Sequence, residues 1–372
     1  MRKRNLLPVI AACLATLTLT VGTATASPNP SNTTLPGCPI GTGDTLAQCV
    51  ANFADSLETK ILARVCPAIE NLPPLPKPAP ATITALHAGV VSNLLTGGLE
   101  PAVKQTYDIT LHDVSGNSVA LANSIKNGSL TGDLFMSADA SVNQTLMGDA
   151  NGNWVTWFTV FARNEVVLAY SPTSPFANDF KTKPWYQVLE EPGIKLGRDD
   201  PNLDPLGYYD LFVGQLAEKY YGIPGLKQQI LGADTNPNQV INTNPTLLSN
   251  GTKDAEFMYI NKAQDAGVPY VTFPDQVNLS NPDFTSEYAQ ASYTTNIGQT
   301  FHGAPIRVSI APLRNGNTHA ADEVIRLLDS PTQGAALLRQ FHFLPSPILA
   351  GGNIHAIPLP IRCETMGTYQ NP

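Results

Sequence analysis

The chain has 372 residues, of which 42% are apolar and only 14% charged, with a formal net charge of −8 and 32 prolines. Nothing in that balance supplies the basic patches that nucleic acid or anionic lipid requires, so neither is expected as a partner. Sparse charge with abundant Pro, Asn, Thr and Ser argues against a helical bundle and suits an exported protein rich in turns.

In chain order, residues 1–26 read as a secretory signal. Arg2, Lys3 and Arg4 precede an apolar run over 6–21, and Ala24-Thr25-Ala26 offers a small-residue cleavage site before Ser27. Ile10-Ala11-Ala12-Cys13 loosely fits a lipobox, so a lipoprotein stays open as an alternative. The apolar run continues well past Cys13, which favours cleavage after Ala26. Cleavage removes three positive charges and takes the net charge from −8 to −11. No other stretch is long and apolar enough to span a bilayer. Four cysteines then remain, Cys38, Cys49, Cys66 and Cys363. An even count in an exported chain implies two disulfides with three pairings available, and Cys38–Cys49 with Cys66–Cys363 is the pairing expected. Their spacing does not suggest zinc. Residues 27–81 form a small Cys-containing extension and a Pro-rich linker. The extension has one helix over 45–66, with Leu46, Val50, Phe53, Leu57, Ile61 and Val65 at helical spacing. The linker, from Pro73 to Pro80, is of the stiff polyproline type.

From Thr82 strands and helices alternate. A strand over 83–87 turns at Ala88-Gly89, and a helix over 92–106 carries a defect at Gly97-Gly98. A strand over 108–113 reaches the turn Ser115-Gly116-Asn117-Ser118, followed by a helix over 119–127. A strand over 134–136 enters Ser137-Ala138-Asp139, with a helix over 141–146. The β-branched run 160–170 reads as one long strand. Next come a helix near 186–189, a strand over 194–196 and an acidic turn at 199–205, then a helix from about 208 to 221. Strands over 256–259, 269–273 and 306–310 precede two helices over 320–328 and 333–343. This grammar is that of an α/β fold with a largely parallel sheet, and its length exceeds one comfortable core. An acidic turn leading from a strand end into a helix is where such folds place ligands.

The run WFTVFARNEVVLAY, the pair Trp185-Tyr186 and the turn DDPNLDPLGYY resemble the matching segment of the tungstate/molybdate-binding proteins of ABC importers. The resemblance covers residues 83–345 and is strongest over 157–209. It implies a two-lobed periplasmic-binding-protein-like fold with a ligand cleft between the lobes, plus the N-terminal helical extension. The lobes would run 82–165 (first lobe), 166–268 (second lobe) and 269–345 (return to the first), with 346–372 as a tail. The implied function is capture of a tungstate or molybdate oxyanion outside the cell for a membrane permease. The protein would be exported, monomeric, free of cofactor and not an enzyme.

The same resemblance nominates site residues. The family's turn after its first strand matches Ala88-Gly89-Val90-Val91-Ser92, with Val90 where the family has Ser. Its Gly-Ser-Val turn matches Gly116-Asn117-Ser118-Val119, and its Ser-Ala-Asp is intact at Ser137-Ala138-Asp139. Ser92, Asn117, Ser118 and Ser137 are therefore candidates to donate hydrogen bonds to a tetrahedral anion. Asp204 falls where the family's carboxylate approaches the metal centre of the oxyanion, and Tyr259 where its Phe-x-Tyr strand sets a Tyr beside it. A second-lobe family Glu has no clean counterpart: Thr243, Asn244 or Ser249 falls near its place. Strand alternation places Glu256 on the face opposite Tyr259, away from the cleft. A different small anion or a sensor role stays open. A secreted hydrolase has little support, since there is no Gly-x-Ser-x-Gly elbow, no His-Glu-x-x-His, and no His in the cleft turns.

Overall fold

The computed structural model describes residues 60, 62–63, 65–67, 79–232, 239–241 and 248–370. The chain divides into two units, Met1–Ala68 and Ile69–Pro372. In the first, residues 60, 62–63 and 65–67 are helical, at the end of the helix expected over 45–66. The segment expected to be a signal sequence, Cys38, Cys49 and most of the linker lie outside the described residues. Cys66 and Cys363 are both disulfide-bonded, as the expected pairing of those two requires.

The second unit is built on two sheets. Its strands are β1 (Ala81–Ala88), β2 (Ile109–Gly116), β3 (Leu134–Ser137), β4 (Trp157–Arg163), β5 (Val166–Tyr170), β6 (Leu196–Arg198), β7 (Gln239–Ile241), β8 (Ala255–Tyr259), β9 (Tyr270–Val271), β10 (Ser292–Thr294), β11 (Thr300–His302), β12 (Arg307–Pro312) and β13 (Leu349–Gly352). The first sheet has the order β13-β4-β12-β3-β1-β2 and the second β7-β6-β8-β5-β9, while β10 and β11 form a separate hairpin. Strand β1 runs parallel to β2 and β3, and β12 returns antiparallel between β3 and β4. In the second sheet β6 is parallel to β7 and β8, and β5 is antiparallel to β8 and β9. Each lobe is therefore a mixed sheet with a parallel portion. The helices that matter below are α1 (Glu100–Tyr107), α2 (Ser118–Lys126), α3 (Ala140–Gln144), α4 (Pro205–Tyr221), α5 (Ile260–Ala266), α6 (Thr318–Leu328) and α7 (Gln333–Gln340).

The strand expected over 160–170 is two strands in different sheets. Arg163, Asn164 and Glu165 interrupt the apolar run, and across them the chain leaves the first sheet and enters the second. Both flanking strands are buried, which is why the run reads as continuous. Along β5, Val166, Leu168 and Tyr170 join the main core, while Val167 and Ala169 pack into a second cluster with Met258 and Ile260. Burial on both faces erases the alternation that would mark a strand's limits. The chain returns to the first sheet after β9, through the β10–β11 hairpin, which neither length nor pattern disclosed.

The Gly97-Gly98 defect is a π-helical turn, Leu95–Leu99, just before α1. Its cause is packing: a Cβ on Gly98 would lie 2.6 Å from a ring carbon of Phe341, immediately beyond α7. Strand β13 adds to the edge of the first sheet beside β4, so part of the stretch after residue 345 is sheet.

Candidate functional site

A cavity of about 790 Å³ opens between the lobes at the strand ends. Its first-lobe wall is the turn after β1 (Ala88, Gly89, Val90, Ser92) with Ser115, Asn117 and Ala138. The second-lobe wall is the acidic turn (Asp199, Asp200, Leu203, Asp204, Leu206) with Glu256, Met258, Tyr259 and Lys262. Gly89 opens a helical turn, and a Cβ there would meet nothing within 4 Å, so backbone is exposed at that point of the wall. The first N–H groups of a helical run have no partner inside it, which makes this turn a donor surface.

Four of the six residues nominated from the sequence, Ser92, Asn117, Asp204 and Tyr259, line this one cavity. Ser118 and Ser137 stand behind its wall. The Ser118 Oγ accepts from the Ala138 N–H at 3.1 Å, and the Ser137 Oγ donates to the Asp139 carbonyl at 2.7 Å. Both are fully buried and hold the β3–α3 corner in shape. Asp139 caps α3 and takes a 2.6 Å hydrogen bond from the Tyr208 hydroxyl, which binds that corner to α4.

Asp204 does two things at once. Its Oδ1 accepts from the Leu206 N–H at 2.8 Å and so caps α4. Its carboxyl also faces the Ser118 N–H at the start of α2, across the cleft. Beside it, the Leu203 carbonyl accepts from the N–H groups of Val119 and Ala120 at 3.1 and 3.2 Å. The N-terminus of α2, which the sequence offers to an anion, is thus satisfied by the other lobe's acidic turn. In this closed arrangement the turn after β1, Ser92, Asn117, Tyr259 and Lys262 remain for a ligand, with Asp204 at the edge of the wall.

Burial, and then the neighbouring Asp199, push the Asp204 carboxyl up to about 8. Tyr259 is 4% exposed, and its hydroxyl has no hydrogen-bond partner among the described residues. Burial and the nearby Asp204 hold that phenol well above its ordinary range, so it stays protonated and donates. Glu256 does line the cavity, contrary to the parity expectation. Tyr259 is both the last residue of β8 and the N-cap of α5, so the cavity reaches round the strand end and meets both faces. Glu256 is also neutralised in place: its Oε2 lies 2.7 Å from the Lys253 Nζ, with both side chains fully buried. Lys253 lies across Gly197, where a Cβ would come within 2.5 Å of it. Beneath the acidic turn, burial and then Asp199 hold the Asp210 carboxyl well above its usual range, and the buried Arg198 only partly opposes them.

Lys262, which the sequence reading missed, is the one basic side chain lining the cavity among the described residues. Desolvation lowers its pKa, and Asp265 partly restores it. Its only sequence signal is its position three residues after Tyr259 on the helix that β8 feeds. Thr243 and Asn244 lie outside the described residues. Among those described, no group of three or more His, Cys, Asp and Glu side chains is arranged to hold a metal ion, and no helix is long and apolar enough to cross a membrane.

Two α/β lobes joined by strand crossovers, with polar turns converging on the cleft between them, define a solute-binding fold. The structure accordingly superimposes on the periplasmic molybdate-binding protein of Azotobacter vinelandii with a TM-score of 0.50 at 15% identity, covering 71% of this chain and 99% of that one. It matches the sulfate-binding protein SubI of Mycobacterium tuberculosis equally well, at TM-score 0.50 and 16% identity over 71% and 87% of the two chains. The pattern of the bacterial extracellular solute-binding protein family matches residues 87–344, and the chain belongs to that family. Among its relatives, a putative ABC transporter molybdenum-binding protein of Haloferax volcanii is 33% identical over 65% of this chain and 78% of its own length. A molybdate/tungstate-binding protein of Pyrococcus abyssi is 27% identical over 66% and 78%.

Proposed function

We propose that this protein captures a tetrahedral oxyanion of the tungstate/molybdate type outside the cell and delivers it to the permease of an ABC importer. It would work as an exported monomer whose lobes close on the ligand by hinge motion, without catalysis. The observation that carries the reading is the buried, unpartnered Tyr259 hydroxyl on the cavity wall. A hydroxyl buried without a partner costs free energy, and a ligand oxygen is the acceptor that would offset it. Lys262 supplies the opposite charge, and Ser92 with the backbone at Gly89 and Val90 supplies neutral donors. The relatives named for molybdenum, molybdate or tungstate support the choice of anion. Asp204 either approaches the metal centre of the oxyanion as a carboxylate or, protonated, donates to one of its oxygens.

Tyr259→Phe tests this by moving two quantities in opposite directions. Without ligand the variant should be as stable as the parent, or more stable by about 1 kcal/mol, because an unsatisfied buried hydroxyl is gone. The rise in melting temperature given by saturating tungstate should shrink. If tungstate stabilises parent and variant equally, the hydroxyl is not a ligand contact.

A further inference from the structure

The geometry points to Asn261 as a positioning residue for lobe closure, a second-lobe amide that ties the first-lobe ligand turn to the hinge. Asn261 is the second residue of α5 and is 1% exposed. Its Nδ2 donates to the Val90 carbonyl in the first lobe at 3.1 Å. Its Oδ1 accepts from the Asn164 Nδ2 at 2.9 Å. Asn164 is fully buried and, with Glu165, forms the link between β4 and β5 where the chain changes lobes. The Asn164 Oδ1 accepts from the Glu165 N–H at 3.0 Å, and the Glu165 carbonyl accepts from the Ile260 N–H at 2.9 Å. Hinge, α5 and ligand turn are thus joined through one side chain, and its neighbours Tyr259 and Lys262 line the cavity.

Only a primary amide carries a donor and an acceptor at the spacing that serves both partners at once. Aspartate keeps the acceptor but turns a second oxygen toward the Val90 carbonyl, while alanine leaves two buried polar groups unsatisfied. The other end of α5 is fastened more weakly. Asp265 accepts from the Asn93 Nδ2 of the first lobe at 2.8 Å, at an exposed position, and lies 3.8 Å from the His342 Nε2. Exposed contacts of that sort contribute little. On α5 the buried amide holds closure, alongside the Tyr208–Asp139 bond and the bonds of the Leu203 carbonyl to α2 elsewhere in the cleft. When the lobes part, the Val90 carbonyl and the Asn261 amide both reach water, so their bond stabilises only the closed state. A ligand gripped by the turn after β1 and by Tyr259 is retained in proportion to that stability.

The inference rests on the proposed function only for its choice of ligand, and the test separates the two. Small-angle scattering of the full chain, parent and N261D, with and without 1 mM sodium tungstate, reads lobe separation directly. N261D should be more open than the parent without ligand and should close less with it. Tungstate dissociation should accelerate by about tenfold, equivalent to about 1.4 kcal/mol, with association little changed. Asn164→Ala, which keeps the Asn261–Val90 bond and loses the hinge bond, should fall between the parent and N261D in both readouts. If N261D and N164A match the parent in both scattering and dissociation rate, the inference is wrong. If the parent ignores tungstate while N261D still scatters as the more open form, the ligand reading fails and the closure role stands.

Discussion

Asp204 is where stability and binding meet in one side chain. It caps α4, a contact worth about 1 kcal/mol in typical helices, and reaches the first turn of α2 in the opposite lobe. Its folded pKa of about 8 lies above the ordinary aspartate value of 3.8, so between those limits the folded state keeps a proton that the unfolded chain has released. Stability from this group is therefore fully present below about pH 4 and is lost as pH rises toward 8. Asp329, raised to about 8 by burial, and Glu165, raised to about 7 by burial and then Asp275, act in the same direction. The melting temperature without ligand should fall steadily from pH 5 to pH 8. Asp204→Asn, which keeps an oxygen for the cap and cannot ionise, should make that fall shallower, and Asp204→Ala should lower stability at every pH. Calorimetric scans at four pH values check all three. A flat profile in the parent would show that these carboxyls ionise freely in the folded protein.

Among the elements, those with a strong local pattern were legible before any coordinates. The turn after β1, the acidic turn into α4 and helices α6 and α7 stand close to where spacing, caps and punctuation put them. The Gly97-Gly98 irregularity was legible too, though its cause was not, because Phe341 is more than two hundred residues away in sequence. Gly98→Ala should force the Phe341 ring aside and cost about 1–3 kcal/mol, read as a lower melting temperature with tungstate affinity unchanged. Unchanged stability would mean that the ring moves freely. What stayed hidden has a common origin in tertiary context. The passage between sheets at Asn164 lies within a run buried on both sides, and the three-residue strands β10 and β11 carry too few positions to show a period. Lys262 escaped notice because a lone Lys on a helix is ordinarily a solvated one. The hand-over of the α2 N-terminus to Leu203 and Asp204 depends on two segments meeting across a cleft, which no local pattern encodes.

Taken together, the lobes pair Lys253 with Glu256 inside the protein and leave for the guest a wall of hydroxyls, the Asn117 amide, one lysine and the aspartates of the acidic turn. The neutral donors and the single cation suit an anion that is small and symmetric, and an Asp204 carboxyl pushed up to about 8 keeps its proton at pH 7 and does not repel it. The fold alone does not select among anions, since molybdate-binding and sulfate-binding proteins share it equally well. The direct test is a calorimetric titration of the full chain at pH 7 with tungstate, molybdate and sulfate in turn. Saturable binding of one tungstate or molybdate per chain is predicted, tighter than sulfate, with about 2.7 kcal/mol of added stability at a hundredfold excess over Kd. Absence of heat and of thermal stabilisation with both tungstate and molybdate would contradict it.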